Sequence, residues 1–179
     1  MRLRRAAWWW GPGLVIAIAA CHEPRVGSPH ASSGDEHALL GAPAPAFARP
    51  RVGGGVALST DSVKGKVLIV DFWATWCKPC VEAFPKLQEI VDKHEDAVVI
   101  FALSEDDTED VILPFVRKSG VKFPIGWDEG NVISRRYKLD KMPTSYVIDQ
   151  KGIVRFVHAG YAEGEDRKIA GEVGELLRQ

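Results

Sequence analysis

A strand-like run that opens directly onto two closely spaced thiols constrains the fold more than any other part of this chain. Residues 66–74 read Lys-Val-Leu-Ile-Val-Asp-Phe-Trp-Ala, an apolar, β-branched and aromatic stretch suited to a buried strand. Trp76-Cys77-Lys78-Pro79-Cys80 follows, and Val81, Phe84, Leu87, Ile90 and Val91 then recur at helical spacing, which predicts a helix over about 78–94. Pro85 falls inside that helix and predicts a kink, because proline removes a hydrogen bond and crowds the preceding turn. The two thiols therefore stand one turn apart where a helix begins. There, free backbone N–H groups and the helix dipole favour a thiolate at Cys77. Cys80 is near enough to attack a mixed disulfide and release its product. Zinc sites and haem attachment also use Cys-x-x-Cys, so the pair points to thiol–disulfide exchange only with its strand-to-helix context.

The chain has three cysteines, and Cys21 has a separate explanation. Residues 1–20 carry Arg2, Arg4 and Arg5, then Trp8-Trp9-Trp10, then an apolar run ending in Ile18-Ala19-Ala20, an order that reads as an export signal. Ile18-Ala19-Ala20-Cys21 resembles the bacterial lipobox, which makes Cys21 the expected lipidated N-terminus of the mature chain, held on a membrane by its acyl groups. The alternative is an uncleaved anchor. Residues 8–20 fall short of the ~20 apolar residues a spanning helix needs, and Gly11-Pro12-Gly13 interrupts them. Arg4-Arg5 lacks the motif that would mark twin-arginine export. His22, not Asp, follows Cys21, which leaves inner and outer membranes both open.

Residues 21–40, rich in Pro, Gly, Ser and His, are expected to be a flexible tether, with the folded domain over 41–179. His22, His30 and His37 in the tether read as solvated polar residues rather than metal ligands. With 23 basic and 24 acidic residues the formal net charge is −1, so no strong field points to nucleic acid. A lone pair of cysteines closing so small a loop restrains the unfolded chain little, and its value is chemical.

Along the domain, a hairpin is expected through residues 51–58, bending at Gly53-Gly54-Gly55. A short turn over 59–64 leads to a strand over 67–72. Beyond the 78–94 helix come a strand over 98–103, a helix over 108–119 ended by Gly120, and a short helix over 131–137. A hairpin over 145–149 and 153–157 and a helix over 165–177 close the chain. This order is α/β, with a mixed central sheet covered on both faces.

These residues resemble the thioredoxin fold, and within it the bacterial thiol–disulfide oxidoreductases of the TlpA/ResA type. The resemblance rests on Gly41-Ala42-Pro43-Ala44-Pro45-Ala46-Phe47, on residues 65–77 with Pro79-Cys80, on Phe84-Pro85 and on residues 142–149 beginning Met142-Pro143-Thr144. It implies a three-layer α/β/α sandwich with a mixed central sheet and an N-terminal β-hairpin extension. It also implies that Cys77 attacks and Cys80 resolves, with no cofactor. Pro79 fixes the backbone at the helix start. Lys78 either favours the thiolate or is an exposed loop lysine. Asp71, in the preceding strand, corresponds to a buried acid that moves protons to and from the resolving cysteine; an ion pair with a lysine such as Lys66 is its alternative. Pro143 corresponds to a cis-proline beside the disulfide, and the backbone around Met142, Pro143 and Thr144 to the place where an extended client segment pairs. Trp76 is expected as an apolar contact surface beside the thiols, with Phe72 and Trp73 in the core.

The implied partners are disulfide-containing exported proteins and a membrane electron donor of the DsbD/CcdA type, and the implied place is the periplasmic side of a bacterial membrane. One departure stands out. Family members commonly carry Glu three residues after the second cysteine, where this chain has Ala83. Glu82 is turned about 100° away and is expected to pair with Lys86. Alternatives on the same fold are a copper-binding Sco-like chaperone, with His158 as a distant ligand, and a peroxiredoxin-like antioxidant. The first requires one more residue between the cysteines, and the second requires Thr or Ser where Ala74 stands. Val81 in place of His argues against haem attachment, and no second ligand pair lies near for structural zinc.

Overall fold

The computed structural model describes residues 37–179, so the expected signal, Cys21, His22 and His30 lie outside the described residues. The packed chain begins earlier than expected. Leu39 is buried in the core, and His37 lies edge-on to the Tyr146 ring at 5.3 Å between centroids and within 3.3 Å of the Lys138 carbonyl. His37 is therefore part of the fold rather than a solvated tether residue.

Strands β1 (Ala48–Arg49) and β2 (Leu58–Ser59) pair antiparallel. The hairpin expected over 51–58 is wider than that span, with its first strand before it and its second starting only at Leu58, because Gly53, Gly54 and Gly55 all take positive φ and widen the loop. Val52 is buried and donates its N–H to the Ile125 carbonyl at 2.8 Å. Strand β3 (Val67–Trp73) is buried at all seven positions. Its side chains alternate between two cores, Val67, Ile69 and Trp73 on one face and Leu68, Val70 and Phe72 on the other.

Helix α1 (Lys78–His94) spans the predicted range and buries Cys80, Phe84, Leu87 and Ile90 along one stripe. Pro85 sits on its exposed side, and the helix runs on through it. Strand β4 (Val98–Ser104) lies parallel to β3. A 3-10 turn over Glu109–Val111 leads into α2 (Ile112–Ser119), which Gly120 ends at φ 72°. Strand β5 (Ile125–Trp127), not foreseen in the sequence, pairs parallel with β4. Then come α3 (Val132–Tyr137), β6 (Thr144–Ile148), β7 (Val154–Ala159) and α4 (Glu165–Leu176).

The sheet order is β5-β4-β3-β6-β7, with β6 and β7 antiparallel to their neighbours. Apolar side chains of α1, α2 and α4 fill one face. The other face is covered by α3, the β1–β2 hairpin and the segment through Phe47, where Phe72, Tyr137 and Tyr146 pack with ring centroids 5.0–5.8 Å apart. This is the thioredoxin-like layering with an N-terminal hairpin that the sequence implied. Both the Cys pair and Pro143 come to one end of the sheet, since β3 runs out into Cys77 and Pro143 runs into β6 beside it. Among the described residues, no helix is long and apolar enough to cross a membrane.

Candidate active site

The site starts with the end of β3. Ala74 accepts from the Cys77 N–H at 3.1 Å, which turns the chain sharply, and Cys77 becomes the N-cap of α1 with extended backbone. Val81 then donates to the Cys77 carbonyl at 3.2 Å, leaving the N–H groups of the first turn without intrahelical partners. Pro79, within that turn, has no N–H to leave unpaired. The Cys77 sulfur sits at this positive helix end and is disulfide-bonded to Cys80, with Cα atoms 5.3 Å apart. Cys80 is fully buried and Cys77 keeps 6 % exposure, so of the two residues only the first reaches solvent. Around it, Trp76 is 67 % exposed, a large apolar surface at the rim. The Lys78 side chain is 88 % exposed, and among the described residues its one ion pair is with Glu82 at 3.8 Å, the setting of a solvated lysine.

The turn before Cys77 is held by a residue that the sequence reading missed. Asp106, buried just past β4, accepts from the Thr75 N–H at 3.0 and 3.2 Å and from the Thr75 hydroxyl at 2.7 Å. Ser104 donates its hydroxyl to the same carboxylate at 2.6 Å, and the Trp127 indole donates to the Asp106 carbonyl at 2.8 Å. Charge-assisted bonds of this kind are the strong ones, and here they fix the loop that presents Cys77. The signal available in the sequence was Ser104-Glu105-Asp106, polar residues closing an otherwise apolar strand.

Asp71 points into the α1/α4 side of the sheet and is 2 % exposed. Its partner is Ser145, opposite it on β6, whose hydroxyl donates to Oδ1 at 2.5 Å; the alternative partner Lys66 does not meet it. Burial drives its pKa up from 3.8 to about 7, and the Ser145 hydrogen bond holds back part of that rise. A carboxyl that titrates near neutrality can both take and return a proton at working pH.

Met142–Pro143 is a cis peptide. Pro143 accepts from the Gly160 N–H at 2.7 Å, and the Thr144 hydroxyl donates to the Lys141 carbonyl at 2.7 Å, which ties this loop to both of its flanks. Below it, Asp71, Ala83, Pro143, Ser145, His158 and Glu165 line a cleft of about 20 Å³. His158 is buried with Nδ1 on Glu165 and Nε2 on Glu172, the latter at 2.6 Å. Burial disfavours its cation, but Glu172 and Glu165 outweigh that and raise its pKa above the ordinary histidine value. With both ring nitrogens engaged, His158 has no lone pair free for copper. Lys86 pairs with Tyr161 at 2.7 Å and Asp166 at 3.3 Å, not with Glu82, because its helix position faces α4.

A model of the AhpC/TSA family matches residues 40–157. The thiol-disulfide oxidoreductase ResA of Bacillus thuringiensis (strain Al Hakam) is 39 % identical over 101 residues, covering 56 % of this chain and 58 % of that protein. ResA of Oceanobacillus iheyensis is 33 % identical over 125 residues, covering 68 % and 65 %. The chain thus spans under two thirds of the length of these relatives. Among solved structures, a DsbE-type thiol:disulfide interchange protein of Chlorobium tepidum superposes with a TM-score of 0.73 at 27 % identity, over 77 % of this chain and 97 % of that one. A Bacteroides thetaiotaomicron structure assigned to a protein disulfide isomerase gives 0.71 at 25 %, over 78 % and 91 %. With its fold, its helix-capping disulfide and a family match across most of its length, the chain belongs to the AhpC/TSA family.

Proposed function

We propose that this protein is an exported, membrane-tethered thiol–disulfide oxidoreductase that reduces disulfides in exported client proteins. One observation carries the reading: the Cys77–Cys80 disulfide caps a helix at the end of the strand that buries Asp71. In the dithiol form, the Cys77 thiolate attacks one client sulfur and the other leaves as a thiolate. Asp71 takes the proton of Cys80, and the Cys80 thiolate then attacks the Cys77 sulfur of the mixed disulfide. The second client sulfur leaves, two electrons have passed to the client, and the enzyme is left as the disulfide. Met142, Pro143 and Thr144 would hold the client segment by strand addition, with Trp76 as an apolar rim contact.

A membrane donor of the DsbD/CcdA type would restore the dithiol. Lipid on Cys21 would hold the chain on the periplasmic side of a bacterial membrane, with a tether that gives way to the fold by His37. The AhpC/TSA family name raises the peroxidase alternative, but buried Ala74 supplies no hydroxyl three residues before Cys77. The test is insulin reduction in the presence of dithiothreitol. The full chain should accelerate it and Cys77→Ser should not; full activity in Cys77→Ser would end this reading.

A further inference from the structure

Asp71 is buried at 2 % exposure, yet each turnover must bring a proton to it and take one away. Three polar residues form a row across the sheet: Asp71 on β3 faces Ser145 on β6, and Ser145 faces His158 on β7. Such a row is costly in a sheet face otherwise filled by Val67, Ile69, Trp73 and Val147. The small cleft under Pro143 touches all three and reaches Glu165 on α4. Its volume, about 20 Å³, is enough for a single water, and its walls supply the polar partners a water needs. The Glu165 side chain is 21 % exposed and that of Glu172 13 %, whereas His158 between them is 2 % exposed. The set therefore has one end in the cleft, and both of its carboxylate side chains reach solvent.

Resting on the oxidoreductase reading, we propose that this cleft is the proton exit of the active site: a water between Asp71 and Glu165 passes the proton taken from Cys80 to the Glu165–His158–Glu172 set, and so to solvent. No electrons move along this path. Cys80 loses one proton, Asp71 gains and then loses it, and solvent receives it, so the carboxylate is restored for the next turnover. Glu165 and the histidine it contacts would act as positioning and relay residues, without touching the client. The other charges facing the set are Lys168, 3.7 Å from Glu165, and the Lys86–Tyr161–Asp166 group between α1 and α4, with the end of Lys141 lying over Gly160. Ala83 leaves the α1 wall of the cleft without a carboxylate of its own; the acids on the opposite wall are Glu165 and Asp166, and Asp166 is held by Lys86 at 3.3 Å, which leaves Glu165, joined to His158, to continue the path.

The reduced full-length chain in detergent micelles, carrying Cys21→Ser in every variant so that two thiols remain, is mixed with dithionitrobenzoate to separate the steps: Cys77 attack releases a first coloured thiolate and Cys80 resolution a second. Glu165→Gln should leave the first phase unchanged. The second should slow about tenfold, below the ~10²–10⁴ of a whole general base because Asp71 remains. That slowed phase should also gain a solvent deuterium isotope effect, which loosened packing would not produce, and Glu165→Asp should recover most of the rate. Ala83→Leu, which fills the cleft without removing a charge, is the second variant and should slow the same phase. A second phase unchanged in both Glu165→Gln and Ala83→Leu would overturn the exit path. Absence of any second phase in the chain carrying Cys21→Ser alone would instead sink the Cys77/Cys80 cycle itself.

Discussion

Asp71→Asn should make this protein more stable, and by an amount that depends on pH. The substitution keeps the side-chain shape and an oxygen for the Ser145 hydroxyl, but removes a carboxyl that the core resists charging. In the folded chain that carboxyl titrates near 7, against 3.8 ordinarily. Between those values the folded state holds a proton that the unfolded chain has lost, so stability falls as pH rises through this window, and above about 7 the whole penalty is present. About three pH units at ~1.4 kcal/mol each make that penalty about 4 kcal/mol. Guanidinium unfolding of the oxidised proteins, followed by tryptophan fluorescence, should show matching midpoints near pH 4. At pH 8 the midpoint of the variant should be higher by about 1 M, taking a slope of roughly 4 kcal/mol/M. A stability difference that is the same at both pH values, or an Asn variant weaker at pH 8, would refute the argument that burial raises this group. The same variant should reduce disulfides more slowly at neutral pH, which would mark the buried charge as kept for catalysis at the expense of stability.

Ser145→Ala removes the hydrogen bond that favours the Asp71 carboxylate, so the pH midpoint of the resolving step should move upward from about 7. A bond to a charged group is worth ~1.5–3 kcal/mol, which corresponds to a rise of about one to two pH units, read from the second-phase rate against pH. Cys80→Ser should accumulate a mixed disulfide between Cys77 and a client, visible as a slow band on non-reducing gels, and Cys77→Ser should form none. Asp106→Ala leaves the Thr75 N–H and hydroxyl without their acceptor and should cost about 2–4 kcal/mol in chemical unfolding, with Asp106→Asn costing less.

The elements that packed most simply were legible in the sequence. Helix α1 was placed at its observed ends because its apolar stripe, its proline-bearing first turn and the strand before it all agree. Strand β5 was missed for a physical reason: it is three residues long, and Gly126 at its centre carries no hydropathy signal. A Cβ there would come within 3.1 Å of a Leu103 methyl and 3.2 Å of a Leu58 methyl, so a larger residue would make both leucines shift. The hairpin strands were displaced because loop width set by three glycines cannot be read from apolar alternation.

Within the site, the cysteine pair and the strand acid were visible because they are local. Ser145 and Asp106 were not assigned, and His158 was weighed only as a distant copper ligand, since their partners are fixed by sheet register and by loops far apart in sequence. Some trace was present. Asp71 and Ser145 are polar breaks in apolar strands, and Glu165 and Glu172 are seven residues apart, on one face of α4.

The reduction potential of the Cys77–Cys80 couple, measured by equilibrating the protein with dithiothreitol or glutathione buffers, tests the central claim most directly. A reversible two-electron couple near thioredoxin's value of about −270 mV is the predicted result. A value near the −120 mV or so of DsbA would make the protein an oxidant rather than a reductant, and the absence of a reversible couple would contradict disulfide exchange altogether.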